Sequence, residues 1–131
     1  MPQVHVVMLL AVLQYFVFGL AVGYARGRYG IPAPATAGHP DFERYYRIHM
    51  NTLEQLAVLL PSLWSFATFV DPDWAAGLGL VFLVGRTLYF TGYVKAANKR
   101  HIGFGISAVP TLILLVGGLI GAVSATLNCP G

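Results

Sequence analysis

Three polar residues, Arg47, Asn51 and Glu54, lie at the start of an apolar segment and are spaced four and three positions apart. At about 100° per residue in a helix, this spacing places all three side chains within a narrow arc on one face. An ionisable group inside an apolar helix is costly unless it has a partner, and such groups are commonly functional. Glu54 therefore requires a cation, which Arg47 or an arginine from another helix could supply. We interpret the stripe as a binding surface, because asparagine and glutamate are not the long cationic side chains that extend to lipid head groups.

A second polar stripe comprises Arg86, Tyr89, Tyr93 and Arg100, which are three, four and seven residues apart and share one face of a later helix. Arginine forms planar charge-assisted pairs with carboxylates, and tyrosine offers a directional hydrogen bond beside an apolar wall. Both residue types also have structural roles at membrane surfaces, as head-group anchors and as aromatic belts. We interpret Arg86 as a structural residue that pairs with Glu54 or with another group of the bundle.

The composition of the chain indicates that these stripes belong to a membrane protein. Of its 131 residues, 56% are hydrophobic and 10% are charged, whereas a soluble domain carries about 25% charged residues. The length suggests a single domain, residues 1–131. The single cysteine, Cys129, excludes an intrachain disulfide and a cysteine metal site, and the four histidines lack the spacing of a metal motif. We therefore expect no bound metal.

Four apolar segments are long enough to cross a bilayer core, which requires about 20 residues of helix. They run over about residues 4–25, 49–70, 74–97 and 102–127, so the sequence predicts an all-α membrane protein, a bundle of four transmembrane helices. Residues 30–34 contain two prolines, which cannot continue a helix. Residues 71–73 form a tight Asp-Pro-Asp turn, in which Asp73 can cap the third helix.

Basic residues are distributed unevenly between the connections. The second connection carries only Asp71 and Asp73, whereas seven of the eight basic residues flank the first and third connections: Arg26, Arg28, Arg44, Arg47, Lys95, Lys99 and Arg100. The positive-inside rule places the connections between helices 1 and 2 and between helices 3 and 4 in the cytoplasm. This topology explains the basic excess without nucleic acid binding. The compact chain favours a bacterial inner membrane, with the endoplasmic reticulum as the alternative.

Two segments carry a resemblance to a known family. Residues 42–54, FERYYRIHMNTLE, resemble the signature FERxxRxxxNxxE of the MAPEG family, the membrane-associated proteins in eicosanoid and glutathione metabolism. Residues 85–93, GRTLYFTGY, resemble the second signature of that family, RxxYFxGY. The order and spacing of the four apolar segments also match, so the resemblance covers nearly the whole chain.

The resemblance implies a homotrimer that binds glutathione, as co-substrate, between neighbouring protomers. At the positions that match the family, the glutathione-binding residues would be Arg26, Arg47, His49, Asn51, Glu54, Tyr89 and Tyr93. Arg100 lies where the family has its thiol-activating arginine, and a nearby cation favours a thiolate over a thiol. The resemblance thus implies a membrane-bound glutathione transferase that acts on lipophilic electrophiles from the bilayer, with a lipid-hydroperoxide peroxidase as an additional activity.

The chain departs from the leukotriene-forming members of the family at four positions. Gly27 replaces an arginine, and Gln55, Gly105 and Leu112 replace aromatic residues. These differences leave glutathione binding intact and favour a general transferase or peroxidase over leukotriene synthesis.

Three alternatives fit the sequence less well. A non-catalytic lipid-binding membrane protein, like the 5-lipoxygenase-activating protein of the same family, lacks the arginines that match Arg47 and Arg100, and both are present here. A small four-span multidrug transporter needs a glutamate in its first helix, and residues 4–25 contain no acidic residue. A prostaglandin E synthase-like isomerase has an aspartate at the position of Thr52.

Overall fold

The computed structural model describes residues 1–95 and 100–128, with the side chain of Arg100 outside that description. Four helices make up most of the described chain: α1 (Pro2–Tyr29), α2 (Pro40–Phe69), α3 (Pro72–Lys95) and α4 (Arg100–Leu127). The described residues contain no strand. The predicted all-α, four-helix architecture is therefore confirmed.

The connections between helices follow local backbone chemistry. Helix α1 ends at Gly30, whose φ of 67° lies in the left-handed region that favours glycine. Helix α2 begins at Pro40, before the predicted span at residue 49, because His39 caps it: the His39 Nδ1 accepts a hydrogen bond from the Asp41 backbone N–H at 3.1 Å.

The prediction that Asp73 caps α3 is wrong. The carboxylate of Asp71 fills this role, since it accepts hydrogen bonds from the backbone N–H groups of Asp73 and Trp74 at 2.7 and 3.1 Å. Asp73 instead accepts a hydrogen bond from the Gln3 side-chain amide at 2.9 Å, which joins the start of α1 to the start of α3. The cap precedes proline, as is usual at a helix start.

Within the described residues, three helices are long and apolar enough to cross a membrane: α1, α3 and the His101–Leu127 part of α4. Helix α2 has 30 residues, or about 45 Å at 1.5 Å per residue, but its first half is polar. Its apolar side chains recur at helical spacing, for example Ile48, Leu56, Leu59 and Leu63, and these are buried. Helix α2 contacts each of the other three helices, and its Thr52 and Ser62 side chains are buried.

The core is formed by apolar side chains from all four helices. It includes Val4 and Ala11 of α1, Leu59 of α2, Phe82 of α3 and Leu114 of α4, all fully buried. The outward faces are apolar as well. More than half of the surface is exposed for each of several large apolar side chains: Leu9, Leu13, Phe16 and Leu20 of α1, and Leu112, Leu119 and Ile120 of α4. Such surfaces are stable against lipid rather than water.

Glycine allows α3 and α4 to approach closely. A Cβ atom added to Gly103 would clash with the Tyr89 backbone nitrogen, and one added to Gly85 would lie 2.5 Å from the Ser107 backbone nitrogen. In membranes, where helices gain little from hydrophobic association, small residues let backbones pack directly. The contact at Gly103 seats the first turn of α4 against Tyr89.

We expect Gly103→Ala to destabilise the bundle by about 1–3 kcal/mol, the usual cost of overpacking. The matched control is Gly105→Ala, because a Cβ atom at Gly105 meets nothing within 4 Å and alanine is the better helix former. Thermal unfolding in detergent should give a lower Tm for Gly103→Ala and an equal or higher Tm for Gly105→Ala. Equal Tm values for the two variants would contradict the close packing.

Candidate functional site

A polar cavity of about 290 Å³ lies between α2 and α3. Six residues line it: Arg47, Met50, Asn51, Glu54, Tyr89 and Tyr93. Five of them belong to the two stripes found in the sequence, so the structure brings the whole first stripe and the two tyrosines of the second to one cavity. The sixth residue, Met50, was not predicted from the sequence as a site residue. Its spacing from Arg47 and Glu54 nevertheless completes the i, i+3, i+4, i+7 pattern of a helix face.

The α2 wall of the cavity presents a cation, an amide and a carboxylate. Arg47 and Glu54 are exposed, whereas Asn51 is partly buried. The side-chain oxygen of Asn51 is buried and has no hydrogen-bond partner among the described residues. A buried polar atom without a protein partner is uncommon, and the Asn51 oxygen can accept a hydrogen bond.

The α3 wall is formed by two tyrosines one helical turn apart. The rings of Tyr89 and Tyr93 pack edge to face, with centroids 5.4 Å apart. Tyr89 is only 4% exposed, and Phe104 of α4 packs against it with ring centroids 6.2 Å apart. Helix α4 therefore packs against Tyr89, and Tyr89 also lines the cavity.

A second cavity of about 400 Å³ adjoins the first and shares Arg47 and Tyr93 with it. Its other lining residues are Thr36, Glu43, Arg44 and Tyr46. The Arg44 guanidinium lies 3.4 Å from the Asp41 carboxylate, and it also donates to the Lys95 carbonyl at 3.4 Å. Arg44 and Arg47 thus both line the site near the C-terminal end of α3.

Arg86 lies behind the cavity and is fully buried. Its Nη2 donates to the hydroxyl of Thr52 at 2.7 Å, and that hydroxyl donates to the Ile48 carbonyl at 2.8 Å. The guanidinium carbon also lies 4.1 Å from the centroid of the Tyr89 ring. The expected structural role of Arg86 therefore uses Thr52 as its partner, and the one ion pair among the described residues joins Arg44 and Asp41 instead of Arg86 and Glu54.

Two of the sequence-predicted site residues lie away from this cavity within one chain. Arg26 donates to the Ala35 carbonyl at 2.8 Å and packs over the Phe42 ring, so it holds the connection between α1 and α2. His49 stacks on Tyr15 of α1 with ring centroids 4.3 Å apart. The predicted catalytic Arg100 begins α4, and its side chain lies outside the described part of the chain.

A larger groove of about 440 Å³ runs between α2 and α4, but its lining carries no ionisable group. The described residues also contain no group of three or more His, Cys, Asp or Glu side chains that could hold a metal ion. The polar cavity between α2 and α3 is therefore the better candidate for chemistry.

Comparison with known proteins identifies the family. Residues 4–120 match the MAPEG family. The chain belongs to the MAPEG family. With its three apolar helices, this membership identifies an integral membrane protein.

Three relatives illustrate the similarity of this MAPEG protein to others. It is 51% identical over 111 residues to an uncharacterized protein of Synechocystis sp., covering 85% of this chain and 81% of the relative. It is 37% identical over 122 residues to human microsomal glutathione S-transferase 2, covering 93% and 83%. It is 36% identical over 118 residues to bovine leukotriene C4 synthase, covering 90% and 79%.

The pairing of Arg86 with Thr52 predicts the behaviour of a valine substitution. Thr52→Val removes the acceptor of a buried guanidinium, and we expect it to destabilise the protein by about 1–3 kcal/mol. Thr68→Val is the matched control, because the exposed Thr68 hydroxyl also donates to a carbonyl in its own helix, that of Trp64, at 2.8 Å. The Tm in detergent should fall markedly for Thr52→Val only, and equal shifts would show that Arg86 does not depend on Thr52.

Proposed function

We propose that this MAPEG protein is a membrane-bound glutathione transferase that activates the glutathione thiol for attack on lipophilic electrophiles. The observation that supports this most directly is the cavity between α2 and α3, which is lined by one arginine, one glutamate, one asparagine and two tyrosines. Its volume of about 290 Å³ lies at the lower end of the range for small-ligand pockets, and the adjoining cavity extends it.

The residues of the cavity match the functional groups of glutathione. The tripeptide presents two carboxylates, one ammonium, two amides and one thiol. The Arg47 guanidinium suits a carboxylate, because it forms two parallel charge-assisted hydrogen bonds. Glu54 suits the ammonium, and the unpartnered Asn51 oxygen suits an N–H donor. The tyrosine hydroxyls can donate to carbonyl oxygens or to the sulfur.

The relatives support the same chemical class. The name of microsomal glutathione S-transferase 2 states both the co-substrate and the reaction. The similarity of this relative extends over 93% of this chain. The similarity therefore covers both walls of the cavity.

Arg100 is proposed as the catalytic residue. Its guanidinium stays protonated at any physiological pH, so it would stabilise the thiolate without exchanging a proton itself. The sulfur would then form a bond to an electrophilic carbon of a substrate that enters from the bilayer. The electron pair of the bond that breaks would leave with a departing group or, in an addition, pass to an atom that takes up a proton. Holding both reactants together removes much of the entropic barrier. As a second activity, the same thiolate would break the O–O bond of a lipid hydroperoxide, which gives the alcohol and a sulfenic acid of glutathione. A second glutathione would then convert this sulfenic acid to the disulfide with loss of water.

A homotrimer is part of the proposal. Arg47 and Glu54 are exposed in a single chain, and a carboxylate is costly where it faces lipid, so a neighbouring protomer is expected to cover this wall. Arg26 and His49, which lie away from the cavity of their own chain, would contact glutathione bound at the adjacent protomer. The bacterial relative supports an inner-membrane location, with the connections between α1 and α2 and between α3 and α4 in the cytoplasm.

Charge-neutralising variants test the binding site by calorimetric titration with glutathione in detergent. Arg47→Gln and Glu54→Gln each remove a charge-assisted contact worth about 1.5–3 kcal/mol, so the Kd should rise about 10- to 100-fold. Arg28→Gln and Asp73→Asn are matched controls that line neither polar cavity. Unchanged affinity in the first pair would remove the cavity as the glutathione site.

Stopped-flow absorbance near 240 nm tests thiol activation. We expect the wild-type protein to form a glutathione thiolate at neutral pH and Arg100→Ala to lose this signal, with Arg28→Ala unaffected. A thiolate that persists in Arg100→Ala would assign the activation to another residue. Absence of both thiolate and glutathione binding in the wild type would instead favour a non-catalytic lipid-binding protein like the 5-lipoxygenase-activating protein.

A further inference from the structure

Arg86 is a buried cation for which the described residues provide no anionic partner. It is the largest fully buried side chain of the described chain, and the ion pair that those residues contain, between Arg44 and Asp41, does not involve it. Its Nε and Nη1 atoms are buried and have no hydrogen-bond partner there. An uncompensated charge in a protein interior is strongly destabilising, so its presence calls for a role beyond packing.

The position of Arg86 connects it to both walls of the cavity. Its Nη2 donates to Thr52, which directly follows the cavity-lining Asn51 on α2. Its guanidinium carbon lies 4.1 Å from the centroid of the Tyr89 ring, which borders the cavity from α3. Arg86 itself does not line the cavity. Its effect on a ligand must therefore pass through a neighbour, and of Thr52 and Tyr89 it is Tyr89 that lines the cavity.

The Tyr89 end of the cavity is also the end nearest to the start of α4. A Cβ atom on Gly103 would clash with the Tyr89 backbone nitrogen, so the first turn of α4 packs directly on this residue. Arg100, the proposed thiol-activating residue, begins that turn. If the thiol is activated there, the Tyr89 hydroxyl and the sulfur share one end of the site.

We infer that Arg86 is a positioning residue that stabilises the bound thiolate through Tyr89. A cation over the face of a phenol ring is held by the ring quadrupole, and its positive charge makes the hydroxyl a stronger hydrogen-bond donor. A stronger donor favours an anionic sulfur over a neutral thiol, while the cation–π contact fixes the ring at the cavity wall. The inference rests on the proposed glutathione transferase function and adds a residue that touches neither reactant.

The test is the pH midpoint of thiolate formation by bound glutathione, measured at saturating glutathione by absorbance near 240 nm. Arg86→Met keeps the approximate volume and removes the charge. We expect it to raise the midpoint by about one pH unit, which is about a tenfold loss of thiolate at lower pH. Arg86→Lys, which keeps the charge without the planar group, should restore part of the shift. Arg28→Met is the control and should leave the midpoint unchanged.

A double-mutant cycle separates action through Tyr89 from a general structural role. Tyr89→Phe should raise the midpoint, and adding Arg86→Met to Tyr89→Phe should raise it little further. A purely structural Arg86 predicts a lower Tm with an unchanged midpoint, and that result would overturn the inference. Additive shifts in the double variant would overturn the route through Tyr89.

A variant that keeps Arg86 provides a second test that does not depend on the folding of Arg86→Met. Thr52→Val releases the guanidinium from its acceptor, so it should also raise the midpoint, and an unchanged midpoint in Thr52→Val would count against the inference. The two proposals fail differently. A wild-type protein that forms no thiolate removes the proposed function, whereas a normal wild-type thiolate that is insensitive to Arg86 removes only the role of Arg86.

Discussion

The hydrogen bond from the buried Arg86 guanidinium to the Thr52 hydroxyl joins α3 to α2, and the candidate site lies directly beside it. A bilayer offers no water to satisfy polar groups, so a polar helix such as α2 can be accommodated only where neighbouring helices supply partners. Arg86 contributes to that requirement from α3, and its contact with Tyr89 extends the same arrangement to the cavity wall. The polar groups that the membrane penalises are thus the groups that form the site.

Close packing at small residues positions Tyr89, which is on the α3 wall of the site. Gly103 and Gly85 let α4 approach the backbone of α3 more closely than any residue with a Cβ atom would permit. Because Tyr89 is held between α4 and Arg86, its ring has little freedom. A fixed tyrosine is better suited than a mobile one to an oriented hydrogen bond, since less conformational entropy is lost on binding.

Helical periodicity explains how much of this arrangement could be predicted from the sequence. The spacing of Arg47, Asn51 and Glu54 placed them on one arc, and the structure brings that arc to a cavity shared with Tyr89 and Tyr93. Their binding of glutathione stays a prediction. The four-helix architecture followed from apolar segments of sufficient length, because the bilayer imposes that length on every spanning helix.

Features that depend on contacts between helices could not be predicted from the sequence in the same way. Thr52 as the partner of Arg86 depends on how α2 and α3 rotate against each other, which periodicity alone does not determine. His49 stacks on Tyr15 because of the packing of α1 against α2. The sequence predicts Asp73 as the cap of α3, but the backbone geometry of the turn selects Asp71.

The most direct test of the central claim is an experimental structure of the detergent-solubilised protein determined with bound glutathione. The account predicts glutathione in the cavity between α2 and α3, with a carboxylate on Arg47, the ammonium near Glu54 and the sulfur at the Tyr89 end of the site. Glutathione bound elsewhere, with this cavity empty, would contradict the account.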